Sequence, residues 1–290
     1  MSSRTPVYLA LAGQVLISAG TYVLAKLALT SFEGLEVLLL RFAITLPLFI
    51  GLLLLRPAPR LPPRKHWLAF FLLGLVGLPL NQGFFLVGLE RSTSNHAGLL
   101  YALSPLAVFL LSVFLRREKA TILRAAGLAL AFAGVAVVLR DRGLGDEARI
   151  HVGDALICCG VLSWAAYSVF GRPLATEYGG IRVTCWTAII GSVASLPLFP
   201  VFVRTEHLAS ATLGAWLALG FLCVFTSFIS YLLWYFALSR LEASRVAVWS
   251  NLQPVMTAVL SYLAYGTRIS PAFAVGGALA LVGVFLTQRE

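Results

Sequence analysis

Residues 67–140 read WLAFFLLGLVGLPLNQGFFLVGLERSTSNHAGLLYALSPLAVFLLSVFLRREKATILRAAGLALAFAGVAVVLR, and this text returns without a gap 149 positions later, from Trp216 to Arg289. The shift pairs Trp67-Leu68-Ala69 with Trp216-Leu217-Ala218, Arg91 with Arg240, Leu103 with Leu252 and Pro105 with Pro254. It also pairs Leu111-Ser112 with Leu260-Ser261, Gly127 with Gly276, Gly134-Val135 with Gly283-Val284, and Arg140 with Arg289. Apolar bias aligns many Leu and Ala by chance. It does not align Trp, Arg, Pro and Gly together without an insertion, so the chain is an internal duplication.

The opening of each half recurs less cleanly. Val15-Leu16 through Lys26 matches Val161-Leu162 through Arg172, and Leu46-Pro47-Leu48-Phe49 matches Leu196-Pro197-Leu198-Phe199. Two repeats are therefore expected, residues 1–140 and 152–290, joined by the charged, glycine-bearing linker 141–151.

Composition decides the class. Hydrophobic residues make up 59% of the 290 and charged residues 12%, with a mean hydropathy of +0.90. A soluble chain would lack the polar surface to cover such runs, so an all-α integral membrane protein is expected. Helices are favoured over barrel strands because the apolar runs are continuous and do not alternate. The net charge of +10 sits in short loops and forms no basic patch with interleaved aromatics, which excludes nucleic acid as a partner. Cys158, Cys159, Cys185 and Cys223 lie inside apolar runs without metal-ligand spacing and read as packing residues. The first apolar run is too long for a signal-peptide core and reads as an uncleaved span.

Runs able to cross a ~30 Å hydrocarbon core lie at residues 7–29, 34–55, 66–88, 96–115, 121–140, 152–173, 180–203, 213–237, 245–265 and 271–287. Ten transmembrane helices follow, five per half. Five is odd, so two halves with one fold must enter the membrane from opposite sides, as two inverted five-helix repeats. With the N-terminus inside, fourteen Lys and Arg fall on the inner side and seven on the outer, with Arg41 left within a span. Both termini are expected in the cytoplasm, the linker outside, and the protein in the inner (plasma) membrane.

The third span ending in Gly88-Leu89-Glu90-Arg91-Ser92-Thr93-Ser94, the run Leu103-Ser104-Pro105-Leu106, then Arg117-Glu118-Lys119 and Gly127 to Gly134-Val135, resemble the EamA module of the drug/metabolite transporter superfamily. Ala237-Leu238 to Leu252-Gln253-Pro254-Val255 and Gly276 to Gly283 resemble its second copy. The resemblance implies a ten-helix inverted-repeat transporter that exports amino acids and other small metabolites. The central aromatic content is similar to that of the exporters of aromatic amino acids. The acidic residue that follows the family's fourth span is present as Glu118, whereas the aligned position of the second half is Thr267.

Several residues carry alternative readings. Pro105 and Pro254 fall mid-span, as kinks that open a cavity or as ordinary membrane-helix prolines. Gln14, Ser18, Asn81, Gln82, Ser104, Ser227, Ser230, Asn251 and Gln253 must point away from lipid, to another helix or to a wet cavity. Asn251 and Gln253, two apart, cannot both line a pathway. Aromatics gather as Phe84, Phe85 and Tyr101, as Tyr231, Trp234, Tyr235 and Trp249, and as Trp164 and Tyr167. Trp67 and Trp216 read as interface anchors, while Trp164, Tyr101 and Trp249 lie deeper and are cavity candidates. His96 reads as a proton-linked gate or a solvated helix start. Arg41 either snorkels outward or pairs with Glu36 or Glu33. The small residues Ala126, Gly127, Ala131 and Gly134, with Gly276, Gly277, Ala280 and Gly283, suit close helix packing.

No nucleophile with its base, no metal spacing and no phosphate loop appears, so neither ATP nor any other cofactor is expected. The expected function is secondary transport of a small organic solute, above all amino acids, by alternating access. Its midplane cavity is expected to be largely uncharged and built from Gln82, Tyr101, Trp164, Trp249 and Asn251. His96, Pro105 and Pro254 are the expected gate and hinges. The alternatives are an integral membrane enzyme or a non-transporting membrane interaction protein, for which a duplicated pathway has no use.

Overall fold

The computed structural model describes residues 5–57, 61–92, 97, 100–141, 150–253, 255–256 and 271–288. His96, Pro254, Thr267 and linker residues 142–149 lie outside them.

Long apolar runs become helices because each closes its own backbone hydrogen bonds. In chain order these are α1 (Thr5–Ala28), α2 (Gly34–Leu54), α3 (Arg64–Arg91), α4 (Ser104–Phe114) and α5 (Ile122–Asp141). The second half contributes α6 (Ile150–Tyr178), α7 (Gly180–Phe202) and α8 (Leu213–Leu238), α9 (Ala243–Ala247) and α10 (Pro271–Gln288). Helices α1, α2, α3, α6, α7 and α8 are long and apolar enough to cross a membrane. The surface is apolar, with Leu55 84% and Phe114 82% exposed, while the amide of Asn81 is fully buried. A membrane protein needs this inside-out distribution.

Two expected spans are not continuous helices. The fourth breaks at Ala102 and Leu103, and α4 starts afresh with Pro105 in its first turn. Pro105 therefore opens a helix and does not kink one. At that position its missing N–H costs nothing, because first-turn amides have no intrahelical acceptor. The ninth span runs from α9 into a 3-10 turn at Val248–Leu252, the segment that aligns with residues 99–103.

α3 and α8 each contain a wide, π-helical turn, at Val76–Leu80 and at Leu222–Ser230. The repeat superposes the first on residues 225–229, within the second. In α3 the turn accommodates Pro79, which cannot donate to the carbonyl four residues back. Phe228 occupies the aligned place in α8, so proline is not the common cause.

The halves interlock. α1 packs on α8, with Gly13 facing Leu233 and Gly20 facing Phe221. α6 packs on α3, with Gly88 against Gly153 and Gly160 against the Asn81 carbonyl. Both pairs run antiparallel, and the repeat converts one pair into the other. A Cβ on Gly88 would meet the Gly153 carbonyl at 2.8 Å, and one on Gly77 would collide with the Tyr167 ring. α5 and α10 form a third antiparallel pair, in which Gly127 lies against Thr287 and Gly283 against Ala131. Small residues allow this approach, and dispersion between touching backbones replaces the hydrophobic drive that lipid removes.

Gly283→Ala should lower the unfolding midpoint in detergent, since its Cβ would meet the Ala131 and Gly127 backbones at a cost of about 1–3 kcal/mol. Gly51→Ala, whose Cβ meets nothing within 4 Å, should leave the midpoint unchanged or raise it by up to roughly 1 kcal/mol of helix propensity. Equal responses would refute the close-packing account.

Candidate functional site

Where α1, α3, α6 and α8 meet, their polar side chains enclose a cavity of about 70 Å³. α1 contributes Gln14, Ser18, Thr21 and Tyr22; α3 contributes Asn81, Gln82 and Phe85. Tyr101 and Ser104 enter from the break ahead of α4, Trp164 from α6, and Thr226, Ser230 and Tyr231 from the wide turn of α8 and just beyond it. Ser250 and Gln253 complete the wall. Repeat-aligned positions meet here: Asn81 with Ser230, Gln82 with Tyr231, Tyr101 with Ser250, Ser104 with Gln253, and Ser18 with Trp164. Pseudo-equivalent residues from both halves thus line one space.

Aromatic walls flank the polar centre. Tyr22, Phe85 and Tyr101 stand edge to face with centroids 5.2–6.3 Å apart. Opposite them, Trp164 meets Tyr231 edge to face at 5.5 Å, and Trp234 and Tyr167 lie behind it. The deeper tyrosine and tryptophan donors are bonded: Tyr231 to the Gly77 carbonyl at 3.1 Å, Tyr235 to the Tyr167 carbonyl at 3.0 Å, and Trp234 to Ser168 at 3.2 Å. Those rings are therefore fixed.

The polar groups are tied across helices. Thr21 and Thr226 hydroxyls lie 2.8 Å apart, joining α1 to α8. Asn81 donates to the Gly160 carbonyl at 2.8 Å and to the Tyr101 hydroxyl at 3.2 Å, and Gln82 donates to Asn81 at 2.6 Å. Tyr22 donates to Gln253 at 3.0 Å. Gln14 donates to Ser18 at 2.9 Å, while its buried carbonyl oxygen has no partner among the described residues. Amides and hydroxyls between rings can hold the ionic end of a small zwitterion and stack its apolar body. A cavity that binds benzene has a volume of about 150 Å³, about twice that found here, so a solute of that bulk calls for the walls to part.

Of the sequence candidates, Gln82, Tyr101 and Trp164 lie on the cavity wall, and Trp249 and Asn251 do not. The cause is the 3-10 turn at Val248–Leu252. Three residues per turn place Ser250 and Gln253 on one face and rotate Trp249 and Asn251 off it. Trp249 stacks on Tyr8 at 5.8 Å, and Asn251 is fully buried, its side-chain atoms without a bond among the described residues. Thr21, Tyr22, Thr226 and Ser250 were not singled out by sequence. The repeat itself marks Ser250, as the partner of Tyr101, and the threonines carry the same buried-hydroxyl signal as the serines that were chosen.

Arg41 neither snorkels nor pairs with Glu36 or Glu33. It is fully buried and donates through Nε and Nη2 to the Ser227 hydroxyl at 3.0 and 2.8 Å. Glu36 instead meets His207 at 2.8 Å and the Arg204 amide at 2.9 Å, and Glu33 lies 3.7 Å from Arg204. The span centres are thus not free of formal charge.

At the helix ends, polar clamps repeat. Lys26 donates to the Leu89 and Ser92 carbonyls at 2.9 and 3.1 Å, and its repeat mate Arg172 donates to the Leu241 carbonyl, the mate of Ser92, at 2.8 Å. Glu118 accepts from the Ser244 amide at 3.2 Å and from the Ser244 hydroxyl, so it caps the first turn of α9. Arg124 and Arg245 meet Glu242 beside it at 2.6 and 3.1 Å.

Thr21→Val should destabilise the protein in detergent by about 1–3 kcal/mol, because it strands the Thr226 hydroxyl, and Thr226→Val should cost less, because Thr21 keeps its bond to the Ile17 carbonyl at 3.1 Å. The double variant should cost less than the sum, with a coupling of about 0.6–1.7 kcal/mol. Strict additivity would show that the two hydroxyls do not hold α1 to α8.

The chain is 29% identical to an uncharacterized transporter of Archaeoglobus fulgidus, over 100% of its own length and 99% of the relative's. It is 28% identical to the probable terminal-alkyne amino-acid exporter of Streptantibioticus cattleyicolor, over 76% of this chain and 72% of that one. A crystal structure 23% identical to it shares the fold, with a TM-score of 0.78 over 99% of this chain and 97% of the other. The EamA-like transporter family profile matches residues 5–140 and again 151–289. Matched twice over nearly all its length, this multi-pass membrane chain belongs to the EamA-like transporter family.

Proposed function

We propose that the protein is a secondary transporter that exports small organic metabolites, above all amino acids with aromatic ones among them, by alternating access around the central cavity. The observation that carries this reading is the cavity wall, where pairs of repeat-aligned residues surround one polar space between aromatic rings. Alternating access needs two equivalent gates, one toward each side, and a duplicated wall fits that need. Inversion of the halves is supported by the antiparallel packing of α5 on α10, which are repeat mates. The amino-acid class is supported by the name of the Streptantibioticus relative and by amides facing rings across the cavity. Export is supported by the name of the same relative, since a carrier itself runs down whatever gradient its ligands supply. The cytoplasmic placement of both termini rests on the loop charges.

Orientation is open to direct measurement. In a background without the four cysteines, Lys65→Cys sits in the first turn of α3 and Glu206→Cys in the segment leading into its repeat mate α8. A membrane-impermeant thiol reagent added to intact cells should label the second and spare the first. Labelling of both from one side removes the inverted arrangement.

Counterflow in proteoliposomes tests the transport reading. Labelled phenylalanine and threonine should exchange in the parent protein. Trp164→Ala should reduce phenylalanine exchange about 2- to 10-fold more than threonine exchange, the loss of one stacking contact of about 0.5–1.5 kcal/mol. Trp249→Ala, off the wall, should leave the ratio unchanged. No exchange of any labelled amino acid would refute the reading.

A further inference from the structure

Arg41, the eighth residue of α2, is 0% exposed and has no carboxylate partner among the described residues. Glu36 and Glu33, about one and two turns away on the chain, are engaged by His207 and Arg204. The guanidinium stays protonated, and a buried cation without a counter-ion costs several kcal/mol. One serine hydroxyl offsets little of that.

The bonding pattern shows which edge of the group is unused. Ser227 occupies the side edge, through Nε and Nη2. Nη1 has no partner among the described residues. The end edge, formed by Nη1 and the second N–H of Nη2, is therefore unpaired among the described residues though covered at rest, and it matches the two oxygens of a carboxylate. Ser227 lies on the wide turn of α8 next to Thr226, which lines the cavity with Ser230 and Tyr231. The charge thus sits one layer behind the wall, beside a helical turn of the kind often found at functional sites. On the wall itself, the buried carbonyl oxygen of Gln14 is also unpartnered. One open cationic fork and one open acceptor complement a solute that carries both a carboxylate and an ammonium group.

We propose that Arg41 is a specificity-determining residue that receives the carboxylate of the transported solute on its open end edge, with the Gln14 carbonyl as an acceptor for the ammonium group. This rests on the transport reading above.

The test is competition in counterflow with labelled phenylalanine, using 3-phenylpropionate, which keeps the carboxylate alone, and phenethylamine, which keeps the ammonium alone. In the parent, phenylpropionate should compete at least about tenfold better than phenethylamine, the loss expected for a charge-assisted pair. Arg41→Gln should abolish that preference, and Arg41→Lys, which keeps charge without the fork, should restore part of it. The parent comparison needs no variant, so it decides the matter even where Arg41→Gln fails to fold. Phenylalanine exchange with equal competition by the two analogues overturns the role of Arg41 and leaves transport standing. So does an Arg41→Gln protein that folds and keeps the preference. Absence of phenylalanine exchange in the parent overturns this inference, and the wider transport reading falls only when every other amino acid also fails to exchange.

Discussion

In hydrocarbon, a polar group that loses its partner has no water to turn to, and the deficit is about 2–7 kcal/mol for an amide or hydroxyl. That constraint arranges this molecule. Thr21 finds Thr226, Asn81 finds the Gly160 carbonyl, Tyr22 finds Gln253, and each of these bonds joins different helices. Polar residues of both halves gather around the cavity, while leucines and phenylalanines such as Leu55 and Phe114 face outward and others, such as Phe49 and Leu86, fill the core. Among the described residues, buried atoms without partners, such as the Gln14 carbonyl oxygen and Arg41 Nη1, point to a ligand more strongly than they would in a soluble protein.

Lipid also removes the usual reason for helices to associate, because a leucine is as well solvated by an acyl chain as by another leucine. Close contact must supply the energy instead. Gly88 on Gly153, Gly160 on the Asn81 carbonyl, and Gly127 and Gly283 between α5 and α10 bring backbones into touch. Because α1 binds α8 and α6 binds α3, each half completes the other. The cavity exists only where the two cross, so neither half alone holds a site.

The repeat, the apolar runs and the small-residue stripes were legible because they are patterns of period and composition, which depend on neighbours along the chain. Most of the polar wall was legible for the same reason: an amide within an apolar run must point inward. The errors arose where rotation about a helix axis decides the outcome. Trp249 and Asn251 were expected on the wall, and the 3-10 turn puts Ser250 and Gln253 there instead. Pro105 was expected inside a helix and stands at the start of one. The paired wide turns left no sequence signal in α8, where no proline marks them.

What the sequence by itself determined is the class, the duplication and the inventory of polar residues kept from lipid, since transfer energies and periodicity are properties of the chain alone. What only the tertiary structure decided is which of those residues share a space. Glu36 lies nearer to Arg41 along the chain than any other acid, yet it turns to His207, while Arg41 reaches a serine 186 positions away. Partner choice between buried charges depends on how helices from the two halves cross, and a one-dimensional text does not carry a distance between helices.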